Sequence, residues 1–285
     1  MRPETALFLR GGSVPARRRV APWIIGCAGL LSAATASHGS SADEVVTGVS
    51  TTACRGVPIQ PTDAHKASAD PYQSWMHEWL RLDWAQLCRY EPANAQLPVA
   101  TKSRVVFFGD SITDNWINLD PALFAGDRID RGISGQTTGQ MLLRFRADVL
   151  ELHPAVVHIL AGTNDIAGNT GSTSLAIIEG NIASMAELAR AHGVRVIIAS
   201  ILPVAQYGWH SQVQPIETIK SLNEWLRSYA AREHHVYVDY YTVLNDGHGG
   251  FNAALAFDGV HPNPDGYAAM HALAETAIAK ALSSR

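Results

Sequence analysis

Through the middle and C-terminal parts of the chain, short solid apolar runs alternate with segments in which apolar residues recur every three or four positions. The runs fall at residues 104–109, about 128–131, 155–161, 195–201 and 236–239. Runs this short and, at 105–108, 155–161 and 196–199, this apolar read as strands buried on both faces, which is the pattern of a parallel sheet covered by helices. Between them, Leu142, Phe145, Val149 and Leu152 lie at helical spacing, as do Leu175, Ile178, Ile182, Met185 and Ala189. Ile219, Leu222, Leu226 and Tyr229 repeat the spacing, and Tyr267, Met270, Ala274, Ala277 and Ala281 carry it to the C-terminus. Each set lays one apolar stripe along a helix. Strands alternating with such helices predict an α/β domain over residues 101–285, with helices on both faces of a parallel sheet. Two connections are long, Pro203 to Pro215 and Asn245 to Phe257, and loops of that length in a compact domain often carry function.

The N-terminal part has a different texture. Arg17-Arg18-Arg19 precedes an apolar stretch from Val20 to Ala36 that ends in small residues. A basic start, an apolar middle and an Ala-x-Ala-like end predict a secretory signal peptide over residues 1–37. The stretch is broken by Pro22 and by glycines and is short for a membrane span, so no stable span is expected after cleavage. Ile24-Ile25-Gly26-Cys27 loosely resembles a lipoprotein box, but the apolar run continues past Cys27, and lipid anchoring is not expected. Residues 38–70, rich in Ser, Thr, Ala, Asp and Gly, read as a flexible linker or arm. Residues 71–100 hold Trp75, Trp79, Leu80, Leu82, Trp84 and Leu87 and read as a helical extension packed on the main domain.

Composition narrows the field. The chain has 285 residues, is 47% hydrophobic and 17% charged, and carries a net charge of −4. That allows a sizeable core and provides no basic patch for a nucleic acid. No metal-ligand spacing and no nucleotide-binding glycine motif occurs, so neither a metal nor a cofactor is expected. Beyond the leader the cysteines are Cys54 and Cys88, an even pair that in an exported chain either forms a disulfide or stays as two thiols.

Candidate chemistry begins where the first strand ends. Val105-Val106-Phe107-Phe108 runs into Gly109-Asp110-Ser111, placing a serine just past the carboxyl end of a strand, where open α/β sheets hold their sites. Ser111 is either a helix cap or a nucleophile, and a serine nucleophile needs a base. Near the other end, Asp258-Gly259-Val260-His261 offers one: an aspartate three residues before a histidine can fix the ring's tautomer and stabilise its charged form. Two further loops follow strands. Arg131-Gly132-Ile133-Ser134-Gly135-Gln136-Thr137-Thr138 supplies backbone N–H groups at glycines, and Gly162-Thr163-Asn164-Asp165 supplies a side-chain amide. Such donors stabilise a developing oxyanion, although Gly and Asn also serve ordinary turns. Asp110 and Asp165 read as turn-holding. Trp116, Tyr207 and Trp209, close to these loops, are candidate substrate contacts, with packing into the core as the competing reading.

Taken in order, Gly109-Asp110-Ser111, Gly135 in Gly-Ile-Ser-Gly-Gln-Thr-Thr, Asn164 in Gly-Thr-Asn-Asp, and Asp258 with His261 in Asp-Gly-Val-His-Pro resemble the four blocks of the SGNH hydrolases, the GDSL esterase/lipase superfamily, over about residues 103–283. The resemblance implies a flavodoxin-like three-layer α/β/α sandwich around a five-stranded parallel sheet, working without a metal. It implies Ser111 as nucleophile, His261 as base and then acid, and Asp258 as its orienter. The oxyanion hole it implies is the backbone N–H of Ser111, the backbone N–H of Gly135 and the Asn164 amide. It leaves the ester open. A short-acyl ester, acetyl above all and on a carbohydrate, is the expectation. The alternatives are lysophospholipase-, arylesterase- or thioesterase-like activity, and a catalytically silent carbohydrate-binding module on the same fold.

Overall fold

The computed structural model describes Cys54, Val57, Lys66 and residues 69–284, all within one compact unit spanning Val49–Arg285. The expected leader, and most of the expected arm, lie outside the described residues. The N-terminal segment supplies helices α1 (Pro71–Leu82) and α2 (Glu91–Ala95). Then the alternation begins: β1 (Val105–Gly109), α3 (Ser111–Leu119), β2 (Arg128–Gly132), α4 (Thr138–Asp148), β3 (Val156–Leu160), the single turn α5 (Thr163–Ile166) and α6 (Leu175–Ala191). It continues through β4 (Arg195–Ala199), α7 (Ile216–Arg232), β5 (Val236–Val238), the short α8 (Tyr241–Leu244) and α9 (Pro264–Ser283). The helical stripe 142–152 does not run unbroken: α4 stops at Asp148 and a 3₁₀ turn covers Leu150–Leu152, closed by His153 in the left-handed region.

All four strand pairings are parallel, in the order β2-β1-β3-β4-β5. This is the flavodoxin-like order, whose direction reverses between β1 and β3 and opens a crevice at their carboxyl ends. The solid apolar runs are explained by two cores. Val106, Phe108, Val157, Ile159, Val196 and Ile198 face α4, α6 and α7, together with Phe145, Ile182 and Leu222. Phe107, Leu160, Ile197 and Ala199 face the other way, against Ile112 and Trp116 of α3 and Tyr267, Met270 and Ala274 of α9. Each fully buried large apolar side chain contributes about 1.5–3 kcal/mol. Among the described residues no helix is long and apolar enough to cross a membrane.

The N-terminal segment is fastened to this sandwich at several points. Cys54 is disulfide-bonded to Cys88 across a Cα–Cα distance of 5.3 Å. Gln136 Nε2 donates to Ala85 O at 2.9 Å, Gln140 Nε2 donates to Trp84 O at 2.8 Å, and the Tyr90 hydroxyl donates to Gly132 O. The segment therefore sits on the loops that leave β2, at the carboxyl edge of the sheet.

Candidate active site

Ser111 owes its position to its neighbours. Gly109 ends β1 where a Cβ would lie 2.0 Å from Thr113 Oγ1 and 2.8 Å from Leu160 O, so only glycine lets α3 start this close to the sheet. The helix cap is Asp110: its Oδ1 accepts from Ile112 N–H at 3.0 Å. Ser111 is thus relieved of the capping role, and its hydroxyl faces the crevice.

At the far end of the chain, the turn before α9 supplies the partner. Asp258 Oδ1 accepts from the backbone N–H groups of Val260 at 3.0 Å and His261 at 2.8 Å, and Oδ2 lies 2.8 Å from His261 Nδ1. With Nδ1–H donating to that carboxylate, His261 Nε2 keeps its lone pair toward Ser111 Oγ, 3.0 Å away. Partial burial works to raise the Asp258 carboxyl, but the hydrogen bonds from the His261 backbone and ring and from Val260 outweigh it and hold the carboxyl below the ordinary aspartate range.

The other two loops close on the same spot. Gly135 holds φ at +80°, the left-handed region that favours glycine, and this turns the loop after β2 toward Ser111. Asn164, nearly buried at the start of α5, donates from Nδ2 to Gln136 O at 3.0 Å, while its Oδ1 accepts from Asn169 Nδ2 at 2.8 Å. That pair of bonds fixes which way the amide points and leaves one Nδ2–H unused. Asp165 ties the loops together: its carboxylate accepts from Thr138 N at 2.8 Å and Thr138 Oγ1 at 2.6 Å, where α4 begins. Asp114 likewise accepts from Ser134 Oγ at 2.7 Å.

Ser111, Gly135, Asn164, Trp209, Asp258 and His261 line one open groove of about 840 Å³. Two expected substrate contacts are not in it. Trp116 is 0% exposed: it lies on the same helical stripe as Ile112, so its ring points into the sheet and packs against Phe107, Tyr240 and Tyr267. Tyr207 is also 0% exposed, its hydroxyl paired with Thr163 Oγ1 at 3.0 Å. Both are core residues. Trp209 is 45% exposed; its ring stands 5.3 Å from Tyr207 and 6.3 Å from His261, and its Nε1 donates to Asn169 Oδ1 at 3.0 Å. The groove also takes in residues that no motif announced: Met76, Leu80 and Gln86 of the N-terminal segment, Asn115 and Leu119 of α3, and Asn169, Thr170 and Phe257 from loops. Phe257 stands immediately before Asp258, the one sequence signal that could have flagged any of them.

One buried group beside the nucleophile makes stability depend on pH. Complete burial pushes the Asp110 carboxyl from 3.8 up to about 7, and its Oδ2 has no hydrogen-bond partner. Between those two values the folded chain keeps a proton that the unfolded chain has released, so stability falls as pH rises through the window and stays low above it. The span corresponds to a cost on the order of 4 kcal/mol. Asp110→Asn, which keeps the Oδ1 acceptor for Ile112, is expected to melt higher than the parent at about pH 8 and to converge with it toward about pH 4. Thermal melts across that range decide the matter; a gap that does not change with pH would overturn it.

Comparison with known proteins agrees with the geometry. The model of the GDSL-like Lipase/Acylhydrolase family matches residues 107–269. The crystal structure of a GDSL-like lipase from Bacteroides thetaiotaomicron is 43% identical, superposes with a TM-score of 0.68 and covers 70% of this chain and 99% of its own. The esterase TesA of Pseudomonas aeruginosa is 30% identical over 176 residues, 57% of this chain and 81% of that protein. The uncharacterized lipoprotein YqeF of Bacillus subtilis is 32% identical over 120 residues, 36% of this chain; the match spans 49% of that relative's length.

Proposed function

The chain belongs to the GDSL-like lipase/acylhydrolase family, an ester-hydrolase family, and from that premise we propose that it is an exported serine esterase acting through an acyl-serine at Ser111. The observation that carries the proposal is the unbroken relay from Ser111 Oγ to His261 Nε2 at 3.0 Å and from His261 Nδ1 to Asp258 Oδ2 at 2.8 Å. Ser111 Oγ attacks the ester carbonyl carbon while Nε2 takes its proton. The carbonyl oxygen becomes an oxyanion held by the N–H groups of Ser111 and Gly135 and the free Nδ2–H of Asn164. The alcohol leaves with the proton from His261, water attacks the acyl-serine with His261 again as base, and the acid departs. Asp258 keeps the ring in its working tautomer throughout.

The acyl group is short in this proposal, acetyl above all, and the alcohol a carbohydrate. Amides and hydroxyls of Asn115, Ser134, Asn169 and Thr170 line the groove alongside its apolar members. A long hydrocarbon chain would strip water from these groups without replacing its hydrogen bonds, at about 1–3 kcal/mol for each one left unsatisfied. The exposed Trp209 face, beside His261, suits the apolar side of a sugar ring. A series of p-nitrophenyl esters from acetate to palmitate tests acyl length: kcat/KM is expected to be highest for acetate and to fall steadily with length, and a maximum at long chains would favour lysophospholipase-like activity instead.

Export is supported by the basic-apolar leader pattern of residues 1–37, by the Cys54–Cys88 bridge, which suits an oxidising compartment, and by the lipoprotein description of the Bacillus subtilis relative. Fractionation of cells making the full chain tests it; esterase confined to the cytosol would count against it.

A further inference from the structure

We propose that the N-terminal segment builds a specificity subsite for the alcohol half of the ester, with Gln86 as hydrogen-bond donor and Met76 and Leu80 as its apolar face. The proposal rests on the esterase reading above and names the residues that would recognise a ring carrying both an apolar face and oxygen acceptors, which is the chemistry of a pyranoside.

Three observations carry it. Met76, Leu80 and Gln86 line the same groove as Ser111 and His261, although they come from outside the strand-and-helix alternation. Gln86 is 2% exposed and sits at φ +55°, a conformation that non-glycine residues adopt rarely and keep where the surroundings impose it. Its amide is only half used. Oε1 accepts from Gln136 Nε2 at 3.2 Å, while Nε2 meets the Met76 thioether sulfur at 3.7 Å, a weak acceptor for a group with two N–H bonds. A buried amide with donor capacity to spare on a groove wall is a binding feature, because a ligand oxygen there replaces water that burial has removed.

The position is also held firmly. Gln136 Nε2 donates to Ala85 O as well as to Gln86, Gln140 grips Trp84 O, and Cys88 is bridged to Cys54. Gln136 follows Gly135 directly, so the wall and the expected oxyanion loop are set by the same side chain.

The test compares kcat/KM for a monoacetylated methyl glucopyranoside with kcat/KM for p-nitrophenyl acetate. Gln86→Leu removes the donor at nearly the same volume, with Gln136 Nε2 keeping Ala85 O as its acceptor; the ratio is expected to fall about tenfold, mainly through KM for the sugar ester. Leu80→Ala, which shrinks the apolar face, should lower it severalfold. The exposed surface variant Leu143→Ser should leave the ratio at the parent value. An unchanged ratio in both groove variants, with Ser111 still labelled by a fluorophosphonate, would overturn the subsite and leave the esterase reading standing. Parent enzyme that turns over p-nitrophenyl acetate but no sugar ester would do the same. Parent enzyme that turns over neither ester and takes no label would overturn the esterase reading itself.

Discussion

Ser111→Ala is expected to fold like the parent and to lose about five to six orders of magnitude in kcat, with a much smaller change in KM. The side chain removed is one hydroxyl at the mouth of a groove, and the cap of α3 is Asp110, so the helix keeps its hydrogen bonds. The relay loses its first member, and His261 is left without a proton to take. Because members of such a relay act as a unit, His261→Ala in the Ser111→Ala background should cost little more. Circular dichroism establishes the fold, ester turnover gives the loss, and a fluorophosphonate reads the nucleophile directly by labelling parent and not variant. Loss of less than about tenfold would remove Ser111 from the reaction.

The second large effect is on stability. Arg144→Ala is expected to cost about 3–5 kcal/mol, a large part of the ~5–15 kcal/mol that holds an ordinary domain together. Arg144 is 0% exposed and spends its guanidinium on four groups. Nε donates to Gln136 Oε1 at 2.5 Å, Nη2 to Gly109 O at 2.9 Å, and Nη1 to Arg131 O at 2.9 Å and Asp148 Oδ2 at 3.1 Å. The plane also lies 4.2 Å above the Phe108 ring. Truncation leaves Asp148 buried beside the lone amide of Asn94 and takes one donor from each of the carbonyls of Gly109 and Arg131, at the ends of β1 and β2. Arg144→Lys should recover only part of the loss, since one ammonium cannot reach groups that a planar fork reaches together. Urea unfolding gives the midpoint shift; a shift corresponding to under about 1 kcal/mol would mean the network is relaxed rather than taut. Gly109 and Gln136 stand beside Ser111 and Gly135, so the folded fraction should also lose kcat.

Local pattern was enough to find most of the strands and the loops expected to carry the chemistry. Strands buried on both faces are mostly apolar on both faces, so β1, β3 and β4 appear as short apolar runs, broken in β3 by the buried His158. Ser111 and Asn164 were legible as candidates because each follows such a run within a few residues; Gly135 follows the polar β2 and was legible only through the Gly-Ile-Ser-Gly-Gln-Thr-Thr pattern around it. Local geometry also links Asp258 to His261, three residues apart on one turn.

Which of these residues meet depends on contacts between distant parts of the chain. Ser111 and His261 are 150 positions apart, and only the β2-β1-β3-β4-β5 order brings α9 and its preceding turn back beside β1. The aromatics show the same limit from the other side. Trp116, Tyr207 and Trp209 look alike as residues near site loops, yet helical phase sends Trp116 inward with Ile112, and Tyr207 lies in the core beneath Trp209. The N-terminal wall was illegible for a third reason. Met76, Leu80 and Gln86 carry no motif, and their place in the groove comes from contacts with Gln136 and Gln140 some 50 positions away, which no local pattern encodes.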